Sequence, residues 1–175
     1  MTIDSLSYFG FWPYWDAGPT ALEDLMRLQE EKGIAHSILC STKAIFYDHV
    51  QGNRDVTDAV TKYPRRFSTW DTFHPRAESF SKEITESVRG IRLYPAYHGY
   101  RLRSKAVSEV LDYASAHQLP VSIPIRLIMS FALPELQAEE IMLLAEKHAK
   151  VKVIISCANY EVFQILDALD DSVEL

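Results

Sequence analysis

Residues Val88 to Arg126 constrain the fold more than any other stretch of this chain. Arg89-Gly90-Ile91-Arg92-Leu93-Tyr94 is a short run of alternating apolar character that Pro95 ends, the pattern of a strand. Tyr97-His98-Gly99-Tyr100 follows as a compact aromatic loop. Ala106, Val107, Val110, Leu111 and Ala114 then recur at helical spacing, and beyond Leu119-Pro120 a second extended run spans Val121 to Arg126. Strand, helix and strand in this order make a βα crossover, which pairs its two strands in parallel. Such units place ligands at the carboxyl ends of their strands, where this chain carries histidine and arginine.

The same alternation runs from end to end with no low-complexity stretch or linker. Strands are predicted near Thr2–Tyr8, Ala35–Ser41, Phe67–Phe73, Arg89–Tyr94, Val121–Arg126 and Val151–Cys157. Helices are predicted near Thr20–Lys32, Asn53–Tyr63, Ala77–Val88, Ser104–His117, Pro134–Ala149 and Tyr160–Leu169. Thr20 with Glu23 has capping-box spacing, Gly33 is a natural helix stop, Ser104 suits an N-cap and Pro134 a first helical turn. The chain therefore reads as one α/β domain over residues 1–175 with six βα units. A closed (β/α)8 barrel needs eight units and about 250 residues. The count fits either a TIM-barrel-like fold, incomplete or partly open, or an open doubly wound sheet, and length alone does not decide between them. In an unclosed barrel the first and sixth strands become edges that something must pair or cover.

Composition narrows the function. Eighteen basic against 24 acidic residues give a net charge of −6, and no Lys/Arg cluster stands apart from acids, which argues against a nucleic-acid partner. No run reaches transmembrane length, and the N-terminus lacks a charged and then apolar leader, so cytoplasm is the expected location. Cys40 and Cys157 fall in predicted buried strands without paired spacing, as reduced thiols do.

Gly90-Ile91-Arg92-Leu93-Tyr94-Pro95-Ala96-Tyr97-His98-Gly99-Tyr100, followed by Leu119-Pro120-Val121-Ser122-Ile123-Pro124, resembles the fourth and fifth strands of the amidohydrolase-related, metal-dependent hydrolase family. Ile3-Asp4 is similar to the opening of its first strand and Val151 to Cys157 to its sixth. The resemblance implies a TIM barrel and a metal held by a His-x-His pair on the first strand, by histidines on the fifth and sixth, and by an aspartate after the eighth. Those positions hold Leu6, Tyr8, Pro124 and Cys157 here, and the aspartate position lies beyond residue 175. Zinc in hydrolases takes about three protein ligands of imidazole, carboxylate or thiolate type. Only Cys157 of this set could coordinate, so no metal ligand set and no cofactor are expected, zinc entering only under an alternative reading.

Strand alternation predicts what stands at the mouth instead. If Pro124 faces inward, Ser122 and Arg126 do too; Ile91 and Leu93 on the helix side turn Arg92 and Tyr94 inward; Trp70, Thr72 and His74 form the inward set of the third strand. Tyr8 joins from the first strand and His98 from the loop after the fourth. The candidate ligand-binding residues are therefore Tyr8, His74, Arg92, Tyr94, His98 and Arg126, an aromatic and cationic set suited to a small carboxylate or phosphate. Four of these have a plainer reading: an ion pair for Arg92, a loop arginine for Arg126, a bonded turn residue for His98, a strand end fixed by Pro75 for His74. Tyr47, Asp48 and His49 read as a solvated loop. The rings of Phe9, Phe11, Trp12, Tyr14 and Trp15 must pack, line a pocket or cover a partner. Three functions fit: a hydrolase-like family member binding or processing a small anion without metal; a metal-dependent hydrolase with ligands such as His74, His98 and Cys157; or a non-catalytic homologue acting in assembly. Open edges and exposed rings favour a homo-oligomer.

Overall fold

The computed structural model describes residues 2–13, 19–75, 88–127, 136, 138–158, 160 and 164. Its elements run β1 (Thr2–Phe9), α1 (Leu22–Glu31), β2 (Ile34–Ser41), α2 (Thr42–Phe46), α3 (His49–Lys62), β3 (Phe67–Thr69), β4 (Asp71–Phe73), β5 (Ile91–Leu93), α4 (Pro95–His98), α5 (Lys105–Ala116), β6 (Val121–Pro124), α6 (Ala138–Lys147) and β7 (Val153–Ser156). One sheet has the order β1-β2-β3 and a second the order β4-β5-β6-β7. The paired strands β1 with β2, β2 with β3, β5 with β6 and β6 with β7 all run parallel, the α/β arrangement that alternating strands and helices require. No helix among the described residues is long and apolar enough to cross a membrane.

Two compact units divide the chain. The first holds the described residues up to Thr72 together with Val88 and Arg89. Its core joins Leu25 of α1, Leu39 of β2, Val56 and Ala59 of α3, and Phe67 of β3, with Phe9, Leu22, Met26, Val60 and Tyr63 against it. Phe67 is 1% exposed, and burial of such a ring stabilises by about 1.5–3 kcal/mol. Gln29, 2% exposed, ties α1 to the sheet by donating to the hydroxyls of Ser7 (3.1 Å) and Ser37 (2.7 Å). The Ser7 hydroxyl in turn donates to the Asp4 carboxylate. Asp4 also accepts the Leu6 N–H (2.9 Å), where the β1–β2 register shifts between Asp4 and Ser7. This irregularity keeps Ser7 on the side of α1.

The second unit holds Phe73 to Pro75 and the chain from Gly90 onward. Ile91, Arg92 and Leu93 are all buried, as are all four residues of β6, the signature of parallel strands covered on both faces. Val107, Val110, Leu111 and Ala114 bury one stripe of α5, and Ser104 caps it by accepting the Val107 N–H (3.4 Å). Arg103 with Glu140 (3.9 Å), Lys147 with Ser108 (2.8 Å) and His148 with Asp112 (3.4 Å) join α5 and its leading turn to α6.

Several local expectations need correction. The single strand Phe67–Phe73 is two strands in different sheets, broken at Trp70. The physical reason lies in α3: the Asn53 carboxamide accepts the Thr72 N–H (2.9 Å) and donates to its carbonyl (2.8 Å), serving Thr72 as a strand neighbour would. The second long helix starts earlier, at His49, because Asp48 caps it by accepting the Gln51 N–H (2.9 Å). A separate short helix, α2, precedes it with Ser41 as cap. Thr20 does not cap α1; its N-cap is Ala21, with no side-chain bond. Gly33 does end that helix, in the left-handed region at φ 67°. Cys157 is exposed, since it lies past the end of β7 with φ 55°. The expected helices around residues 77–88 and 160–169, and Pro134, lie almost wholly outside the described residues.

Candidate functional site

The first unit sets Tyr8 by the irregularity in β1. With Ser7 and Ser37 both turned to Gln29, the alternate residues Tyr8 and Cys40 face the other side, and they are register partners. The Cys40 thiol lies 3.6 Å from the Thr72 hydroxyl, so Thr72 belongs to that same face, as alternation predicts. The Tyr8 ring meets Trp12 edge-on at 5.7 Å, and Trp12 meets Phe46 at 5.8 Å. Phe9 packs on the core, while Phe11 is 63% exposed. Within the aromatic run, packing thus accounts for Phe9 and Trp12; Tyr14 and Trp15 lie outside the described residues.

The second unit assembles an imidazole and phenol cluster at the carboxyl end of β5. Tyr94 leads into α4, a single turn with Pro95 at its first position. The aromatic segment expected as a loop is therefore partly helical, and Gly99 closes it in the left-handed conformation at φ 64°. That reversal sets Tyr100 beside the histidines. His98 stacks on His74 with centroids 4.2 Å apart and planes 8° from parallel. Tyr100 lies 6.3 Å from each ring, and Tyr94 lies 6.0 Å from His98. Tyr94 and Tyr100 are buried, whereas His74 and His98 are half-buried. Burial pushes the Tyr100 phenol up, so the ring stays neutral at ordinary pH. Tyr97 meets the Tyr94 ring edge-on at 6.5 Å and accepts the Leu127 N–H at its hydroxyl (3.1 Å).

Arg92 is fully buried, on the same side of β5 as Tyr94 by alternation, and pairs in register with Ser122 of β6. Ser122 is 4% exposed. Arg126 is exposed, just beyond β6. Of the six expected residues, His98 is in ring contact with both His74 and Tyr94; Arg92 shares the strand face of Tyr94; Tyr8 belongs to the first unit. Sequence reasoning passed over Tyr100 and Tyr97. The signal for Tyr100 was the His-Gly-Tyr order, in which left-handed Gly99 sets the flanking rings of His98 and Tyr100 against one another. Asp48 of the loop between β2 and α3 is accounted for as a helix cap.

No protein-family model and no curated protein matches this chain. Several solved structures nevertheless share its α/β fold. An amidohydrolase II structure superposes with a TM-score of 0.62 at 13% identity, over 87% of this chain and 65% of that one. The 2,6-dihydroxybenzoate decarboxylase from Rhizobium gives 0.65 at 12%, over 88% and 65%. The 5-carboxyvanillate decarboxylase of Novosphingobium aromaticivorans, with bound manganese, gives 0.59 at 16%, over 75% and 48%. The chain thus spans about two thirds or less of the length of the structures it matches.

The manganese in one of these invites a test of whether this chain's residues could hold such an ion. Leu6 and Pro124 offer no donor, and Tyr8 turns its ring to Trp12. The Cys157 thiol, though its side chain is exposed, is partly desolvated and thereby pushed up, which disfavours the thiolate that a metal needs. Among the described residues no three histidine, cysteine or carboxylate side chains gather where a metal could sit. This donor set does not fit a divalent ion.

Proposed function

We propose that this chain is a divergent amidohydrolase-related protein that binds or processes a small carboxylate or phosphate at the carboxyl ends of β5 to β7, without a divalent metal. The observation that carries the reading is the fully buried Arg92 guanidinium on the strand face of Tyr94, whose ring leads to the His98–His74 pair. A guanidinium fork holds an oxyanion through two parallel bonds, and a desolvated contact of this kind contributes on the order of 1.5–3 kcal/mol. The fold adds support in kind: the neighbouring structures include decarboxylases of hydroxylated benzoates, which are small carboxylates. Arg126, an exposed cation just beyond β6, joins the second unit's candidates in this reading, while Tyr8 lies in the first unit. Zinc or manganese chemistry through His74, His98 and Cys157 finds no support in the donor geometry.

A thermal-shift screen of small organic acids and phosphates against their neutral amides and esters tests the proposal. Anions should stabilise the protein selectively, and Arg92→Met, which keeps length and packing while removing charge, should abolish that gain. Equal stabilisation by neutral compounds would refute the anion site. A loss of several kcal/mol in the unliganded Arg92→Met protein would instead mark Arg92 as a structural ion-pair residue.

A further inference from the structure

We infer that His74 and His98 act as one anion-receiving unit, donating from two parallel imidazole edges to the oxygens of one carboxylate or phosphate. The inference rests on the anion-site reading above and goes past it by assigning the contact to the pair. Its basis is the stack itself, 4.2 Å between centroids and 8° from parallel. An imidazole ligates through a lone pair in its own plane, about 2.0–2.1 Å from zinc. Between parallel planes, an ion midway would stand about 2 Å outside each ring, facing the π surface, where no lone pair points. Parallel rings cannot converge on a single ion. They can each present an N–H, which every imidazole keeps even when neutral, to separate atoms of an acceptor-only ligand. A carboxylate has two oxygens and about four lone-pair sites to receive them.

The pair is held ready for this. His74 precedes the buried Pro75, which restricts its backbone to extended conformations, and His98 ends a helical turn locked by left-handed Gly99. Tyr100 and Tyr94 pack around the rings as buried phenols, while the imidazoles remain half-exposed, within reach of a ligand. Donors fixed before binding lose little freedom on binding.

The test is calorimetric titration of the purified chain with benzoate and with inorganic phosphate, in EDTA and then with added Mn2+. Binding should occur in EDTA and change little with manganese. His74→Phe and His98→Phe, which retain a stacking ring but no N–H, should each weaken binding roughly ten-fold or more, a step of about one log unit in Kd. The double variant should be hardly weaker than either single one, and His98→Gln, which restores a donor, should recover part of the loss. Ring 15N–1H signals of both histidines should shift with benzoate, a readout that needs no variant to fold. Binding that appears only with manganese overturns the inference and the metal-free reading together. Single Phe variants that bind as tightly as the unaltered chain, or ring signals that ignore the ligand, overturn the inference and leave the anion site standing. Absence of binding under every condition overturns the anion site and this inference together.

Discussion

Asp71 offers the sharpest test of the energetics. Its carboxyl, at the start of β4, is pushed up to about 6 from 3.8 by burial, with the Thr69 hydroxyl bond (3.1 Å) opposing the shift. Because the folded value is raised, the favourable contribution is complete below 3.8, where both states hold the proton. It is lost as pH rises through the window from 3.8 to 6, where the unfolded chain ionises more readily than the folded one. Above that window the folded protein carries a constant cost. The shift corresponds to about 3 kcal/mol at 1.36 kcal/mol per unit, and partial exposure reduces it to roughly 1–2 kcal/mol. Asp71→Asn removes the charge and keeps an oxygen to accept from Thr69. The variant should therefore be more stable than the parent by about 1–2 kcal/mol at pH 7.5, with the gain vanishing near pH 4. Urea unfolding followed by tryptophan fluorescence, with Trp70 beside the group, measures both arms, and subtracting parent from variant at each pH cancels the other titrating groups. A variant that is less stable at pH 7.5, or a difference that does not change with pH, would refute the burial argument.

Other expectations follow from packing and surface. Gly52 lies against Ala44 so closely that an added Cβ would fall 2.3 Å from the Ala44 nitrogen, so Gly52→Ala should separate α2 from α3 and cost about 1–3 kcal/mol or more in chemical denaturation. Gln29→Leu removes the donor shared by the buried Ser7 and Ser37 hydroxyls and should destabilise by about 1–3 kcal/mol; a neutral result would mean the network contributes nothing. We propose that the protein self-associates through exposed rings such as Phe11 and Tyr47, 63% and 61% exposed, or through the β7 edge. Light scattering should then show mass rising with concentration, reduced in Phe11→Ser; a clean monomer throughout would remove this proposal.

The sequence by itself determined what depends on near neighbours along the chain. Period-two runs and the 3.6-residue stripe of Val107, Val110, Leu111 and Ala114 specify parallel βα units, because each run has one way to bury its apolar side. Ser104 and Gly33 marked helix ends through bonds and dihedrals that span only a few residues. Alternation also turned Tyr8 and Thr72 to one face, an outcome that survives because the irregularity in β1 ends before Ser7. Tertiary structure alone decided the rest. The break at Trp70 follows from Asn53, 19 residues away, and no local pattern encodes that clamp. The stack of His74 on His98 joins residues on separate elements, and its parallel geometry depends on how a proline-fixed strand end meets a glycine-closed helical turn. Whether two histidines can share a metal or must share an anion is a matter of ring planes, and those are set only when the distant segments pack.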